Sequence, residues 1–213
     1  MELLPLTQVD AASTPVKAGE FSHWLSVIQA AVQDNAATDV PCNSCNACCK
    51  SSYFIRIHRS ETQAIANIPA PLLFPAPGDA DVMVMGFDER GHCPMLIDDQ
   101  CSIYSNRPNT CRTYDCRLFA GCGITPEETH AAVAQKSQRW QFAYADQAAR
   151  TAHQALLTAA AFLQSHHTAL SVDPNNRLQL AITALRCQPM FLSNPLPDAA
   201  TLLSQIQQLL NQD

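Results

Sequence analysis

The stretch Cys42-Asn43-Ser44-Cys45-Asn46-Ala47-Cys48-Cys49 puts four thiols into eight consecutive residues, a density that packing an apolar core never requires. Cys42, Cys45 and Cys48 follow a C-x2-C-x2-C rhythm, with which a short turning chain delivers three thiolates to one iron-sulfur cube. A zinc hook needs only one C-x2-C per loop. Cys49 adjoins Cys48, and in an extended chain neighbouring side chains point to opposite faces, so the pair is expected to serve different centres. The loop therefore reads as three ligands for one centre plus one thiol aimed elsewhere.

The loop needs partners, and the chain supplies them downstream. Cys93, Cys101, Cys111 and Cys116 follow, with Cys122 and Cys187 further on. Ten cysteines in 213 residues would suit a disulfide scaffold in a secreted protein. No basic start leads into an apolar run and cleavage site, and no apolar stretch approaches membrane-span length. The expected compartment is the cytoplasm, where reduced thiols bind metal more often than they cross-link. A composition 47% hydrophobic and 15% charged predicts a globular chain, and the length suits one domain, residues 1–213. A net charge of -6 argues against a nucleic-acid partner. With no membrane segment either, the expected partner is another protein.

Residues 1–39 read as a loose arm followed by a helix over 20–35, in which Phe21, Trp24, Leu25, Ile28 and Val32 recur at helical spacing and face the core. Residues 40–122 form the cysteine module. Segments 53–58 and 82–87 are strand candidates, and the prolines at 69, 71, 75 and 77 predict a loop between them. Turns at Asp88-Glu89-Arg90-Gly91 and Asp98-Asp99-Gln100 then complete a small, twisted, mostly antiparallel sheet that carries cysteines at its turns.

Four motifs in order resemble the bacterial CxxCxxCC cysteine-cluster proteins, described as zinc- or iron-chelating domains. These are Cys42 to Cys49; Cys93-Pro94-Met95-Leu96; Cys101-Ser102-Ile103-Tyr104; and Arg107-Pro108 through Cys111-Arg112-Thr113-Tyr114. The resemblance spans roughly residues 40–116 and implies metal binding. It is distant for the flagellin lysine N-methylases, which are much longer and modify protein lysines. Asn46 replaces the family's usual Gly and still tolerates a left-handed backbone. Asp115-Cys116 stands where relatives often have Pro, which leaves two readings for Cys116.

Residues 123–213 are helical in expectation. Thr125-Pro126-Glu127-Glu128 looks like a helix start. A stripe from Val133 through Trp140 and Tyr144 to Leu163 continues to His167 without an evident break. Asp173-Pro174 is expected to cap a helix to about Arg186, and Pro195-Leu196-Pro197-Asp198 to precede a last one that ends near Leu210.

The expected fold is α+β, a small cysteine-rich, mostly antiparallel β module covered by an N-terminal helix and several C-terminal helices. The expected metal ligands are Cys42, Cys45, Cys48, Cys49, Cys93, Cys101, Cys111 and Cys116. A 4Fe-4S cluster on Cys42, Cys45, Cys48 and the proline-followed Cys93 is favoured over zinc, with the remaining thiols left for a second group. Arg107 and Arg112 either offset thiolate charge from just outside the ligands or bond loop carbonyls. Tyr104 and Tyr114 are expected to wall the cluster from water. Cys122 and Cys187 read as small hydrophobes. His92 points away from the site, and His166-His167 suit a helix C-terminus. No G-x-G-x-x-G, P-loop, G-x-S-x-G or C-x3-C-x2-C is present, which argues against the common nucleotide, hydrolase and radical enzymes. Two functions remain. The centre supports protein modification or electron transfer, or zinc staples a module that presents helices to a protein partner.

Overall fold

The stripe Phe21, Trp24, Leu25 and Ile28 becomes one buried face of α1 (Phe21–Asp34), in a computed structural model that describes residues 14–34, 36–38, 40 and 45–212. Glu20 starts the helix, its carboxylate accepting the N–H groups of Ser22 (3.0 Å) and His23 (2.7 Å). Just before it, Val16–Glu20 forms strand β1, so the last few residues of the expected arm are structured. Residues 1–13 lie outside the described residues.

The middle of the chain makes two sheets where one was expected. Strand β2 (Ile55–His58) is followed by α2 (Thr62–Ala66), and then β3 (Leu73–Ala76) and β4 (Asp79–Met85) complete an antiparallel sheet in the order β2-β4-β3. The proline-rich connection thus contains a strand. Pro75 is tolerated because β3 is an edge strand, where a missing N–H need cost no ladder bond. The second sheet is the hairpin of β5 (Leu96–Ile97) and β6 (Gln100–Cys101). Its two linking residues, Asp98 and Asp99, both have positive φ (47° and 60°), as a two-residue hairpin loop of the I′ kind demands. Two short helices follow, α3 (Asn109–Thr113) and α4 (Arg117–Cys122).

Beyond them, Thr125 does not open a helix. A 3-10 turn over 128–130 leads into α5 (Ala131–Ser137), and Glu127 instead accepts the backbone N–H of Arg177 (2.9 Å). The long helical stripe is broken by β7 (Trp140–Ala143), which pairs in parallel with β1. Pairing with a strand more than a hundred residues away outweighs the local helical period. Helix α6 (Gln147–Ser165) then starts at Asp146, whose carboxylate accepts the N–H of Ala149 (2.8 Å). It is followed by α7 (His167–Leu170), α8 (Arg177–Cys187) and α9 (Ala199–Leu210). Helix α9 follows Asp198, whose carboxylate caps it, whereas α8 is capped by Asn176 rather than Asp173. His166 lies at the C-terminus of α6, its Nδ1 bonded to the Phe162 carbonyl (2.9 Å).

The class is α+β, with two hydrophobic centres. The larger joins α1, α4, α6, α8 and α9 through residues such as Phe21, Trp24, Phe119, Leu156, Leu163 and Leu180. Gly121 of α4 lets Trp24 seat directly against the helix, since a Cβ there would collide with the indole ring. The smaller centre comprises Ile57, Ala64, Ile68, Met85, Met95 and Ile103. Among the described residues, no helix is long and apolar enough to cross a membrane.

Candidate metal centre

Seven cysteines expected as ligands, Cys45, Cys48, Cys49, Cys93, Cys101, Cys111 and Cys116, line one cavity of about 630 Å³. It lies between the two hydrophobic centres, with Met85, Met95 and Ile103 on one side and Val133, Tyr114 and Cys116 on the other. Cys42 falls outside the described residues. The nine described cysteines form no disulfide. Among the described residues, no three Cys, His, Asp or Glu side chains are gathered into a group that would hold a single metal ion. The thiols are instead distributed around the cavity wall.

The backbone brings these thiols in from five places. Cys48–Lys50 is a 3-10 turn whose Cys49 carbonyl accepts the N–H of Cys93 (2.8 Å). Beside it, Ser52 N–H donates to the Gly91 carbonyl (2.9 Å), so the loop is fastened to the chain leaving β4. Gly91 has φ +77°, and a Cβ there would run into the Ser52 hydroxyl, so this approach requires glycine. Asp88 folds that turn by accepting the N–H groups of Arg90 (2.9 Å) and His92 (2.8 Å). Ser51 ties the loop to α5, because its hydroxyl donates to the Ala47 carbonyl (2.8 Å) and accepts the N–H of Val133 (3.2 Å). Asn46 has no positive φ. Its amide donates to the Asp99 carbonyl (3.1 Å), which fixes the loop against the hairpin that carries Cys101.

The adjacent pair behaves differently from the expectation. Cys48 and Cys49 sit in a helical turn, where alternation between faces does not apply, and both line the same cavity. The Cys48 thiol is pushed well above its ordinary pKa, first by its hydrogen bond with the Cys49 side chain, then by burial and by the neighbouring Cys49 and Cys45 charges. Two thiols assigned to separate centres therefore share one space.

The other thiols influence each other too. Burial pushes Cys111 up to about 12, aided by the charges of Cys48, Cys93 and Cys101, while Arg107 pulls it down. Burial likewise takes Cys116 up to about 12, and the hydrogen bond from Trp140 opposes the rise. Cys93 is raised by burial and by Cys101 and Cys48. Burial and mutual repulsion of their charged forms keep these sulfurs protonated, so occupation by metal would release protons. The donor set is all sulfur, the type that soft metals and iron-sulfur clusters prefer. These residues fit such a group.

Arg107 and Arg112 both line the cavity, yet they donate hydrogen bonds to carbonyls. Arg107 Nη1 donates to the Tyr104 carbonyl (2.9 Å), and Arg112 donates from Nε to the Arg107 carbonyl (2.9 Å) and from Nη2 to that of Ser105 (3.2 Å). They brace the 104–112 segment while presenting positive charge to the thiols. Tyr114 walls the cavity, its hydroxyl 3.0 Å from that of Tyr53. Tyr104 lines the cavity but is 56% exposed, so it stands at the rim and does not seal it. Cys122 and Cys187 are buried among the helices, and His92 is not part of the lining.

Some features have no sequence signal. Asp115 and Arg117, either side of Cys116, form a buried ion pair (2.8 Å). That carboxylate also accepts the Trp24 indole N–H (3.1 Å), and Arg117 Nη1 donates to the Ala18 carbonyl (3.0 Å). The Trp140 indole N–H donates to Cys116 Sγ (3.2 Å).

Comparison with known proteins gives one match. Residues 41–140 fit the model of the CxxCxxCC family, described as "Putative zinc- or iron-chelating domain". No curated protein and no solved structure matches the chain significantly.

Proposed function

We propose that residues 41–140, which fit the CxxCxxCC model of a zinc- or iron-chelating domain, hold an iron-sulfur cluster on their thiols. The observation that carries this reading is the convergence of seven cysteines from five chain segments on one cavity. A single zinc ion needs four thiolates at about 2.3 Å. A cavity of about 630 Å³ with seven thiols around its wall suits a polynuclear centre better. The favoured cluster is 4Fe-4S, with Cys42, Cys45, Cys48 and Cys93 as its ligands, Cys49 beside Cys48 in the same cavity, and Cys101, Cys111 and Cys116 available to a second centre or to zinc. Apolar neighbours such as Met85, Met95 and Ile103 limit water around it. When bound, the cluster would supply electron transfer or support modification of another protein, the expected partner.

The second reading is zinc as a structural staple in an adaptor that shows its helices to a protein partner. What favours it is the modest apolar centre of the β region, since small modules short of core are commonly held by metal.

Purification without oxygen, followed by assay of iron, zinc and acid-labile sulfide, separates the two. Brown protein with broad visible absorption that fades on reduction is expected; colourless protein with stoichiometric zinc and no sulfide overturns the cluster. Because Cys48 and Cys49 line one cavity, Cys48→Ser and Cys49→Ser should each deplete metal from the same centre. A variant that keeps one full centre while losing another would restore separate roles for the pair.

A further inference from the structure

Trp140 of β7 and Cys116, the residue preceding α4, are 24 positions apart in sequence, yet the indole N–H reaches the sulfur at 3.2 Å with both residues buried. An indole can only donate, and a neutral thiol is a weak acceptor. A thiolate carries charge and accepts a stronger bond. The carboxylate of the adjacent Asp115 is engaged elsewhere, by Trp24 (3.1 Å) and Arg117 (2.8 Å). The chain's two tryptophans thus have separate assignments, one N–H to a carboxylate and one to a thiol.

Lys136 adds a second element. Its ammonium, from α5, lies 4.4 Å from the centroid of the Trp140 ring. A cation over the π face draws electron density out of the indole and strengthens its N–H as a donor.

We propose that Trp140, polarised by Lys136, is a positioning residue for the Cys116 thiolate: its N–H fixes the orientation of this sulfur and reduces the electron density it gives to a bound metal. The inference rests on the metal-centre reading and adds to it a role for two residues outside the thiol set. Whichever metal binds, a hydrogen bond to a ligating sulfur tunes the centre, toward easier reduction if it is redox-active and toward a less reactive thiolate if it is zinc.

The test uses cadmium and cobalt as probes. Full-length protein loaded with ¹¹³Cd²⁺ and labelled with ¹⁵N should give a thiolate-range cadmium resonance coupled to the Trp140 indole proton across the hydrogen bond. A purely structural tryptophan would show no such coupling. With Co²⁺, Trp140→Phe keeps the ring and removes the donor, so the sulfur-to-cobalt charge-transfer band should move to lower energy at unchanged cobalt stoichiometry. Lys136→Met should shift it in the same direction by less. Thiolate-bound cadmium without the coupling overturns the inference, as does a cobalt band in both variants that coincides with the unsubstituted protein's. Should Trp140→Phe fail to fold, the cadmium coupling and Lys136→Met still decide. No cadmium bound to thiolate would overturn the metal-centre reading itself, and this inference with it.

Discussion

Leu156, Leu163, Leu180 and Leu185 in the helical region are each within 1% of complete burial, whereas the sheet of the cysteine region offers only Ile57 and Met85 at that level. The first region has long helices that pack on one another, and about 25 cal/mol per Å² of apolar surface removed from water stabilises it without help. The second has short strands, a two-residue hairpin and a cavity walled by thiols. In one region the hydrophobic effect suffices, and in the other metal coordination is expected to supply what the small core lacks.

The largest expected effect tests that contrast directly. Chelating the metal should raise amide exchange over residues 45–116 by roughly 100-fold or more, since a structural thiolate-bound metal contributes on the order of 10 kcal/mol to folding. Helices α6 and α8 should keep most of their protection. Equal losses in both regions, or none in either, would erase the distinction.

A smaller effect is expected at the joint between them. Asp115→Ala leaves the Arg117 guanidinium buried without its partner and should cost about 3–5 kcal/mol in urea unfolding. Asp115 holds Trp24 of α1 and Arg117 holds β1, so the loss should appear in the helical region even in metal-free protein. A loss confined to the metal-loaded state would move this ion pair from the core to the site.

The smallest effect belongs to the helical region alone. His153 is satisfied as a neutral ring, with Tyr144 O–H on Nδ1 (2.7 Å) and Nε2 facing the Gly121 carbonyl (3.1 Å). Burial lowers its pKa below the ordinary 6.5, although the Gly121 carbonyl opposes this. The unfolded chain therefore takes up a proton more readily than the folded one. Stability from this group is complete above pH 6.5 and declines as pH falls from there toward the lowered folded value. Thermal melts between pH 7.5 and 5.5 should show that decline, and His153→Gln should flatten it. An unchanged slope in the variant would assign the decline to other groups.

What the sequence determined by itself is what depends on neighbours in the chain. The apolar period of α1, the Asp98-Asp99 turn, the start of α9 after Asp198 and the cysteine rhythm all act within a few residues, so spacing alone reveals them. The relation between Cys48 and Cys49 was not legible, because it turns on whether that loop is extended or helical, and bonds from Cys93, Ser51 and Asn46 to distant segments decide it. Trp140 was read into a helix for a similar reason. Its local period suits one, but the partner strand β1 lies more than a hundred residues earlier, and only the folded molecule brings β1 and Cys116 against it. Local pattern thus fixed which thiols were available, and long-range pairing decided that they would share a wall.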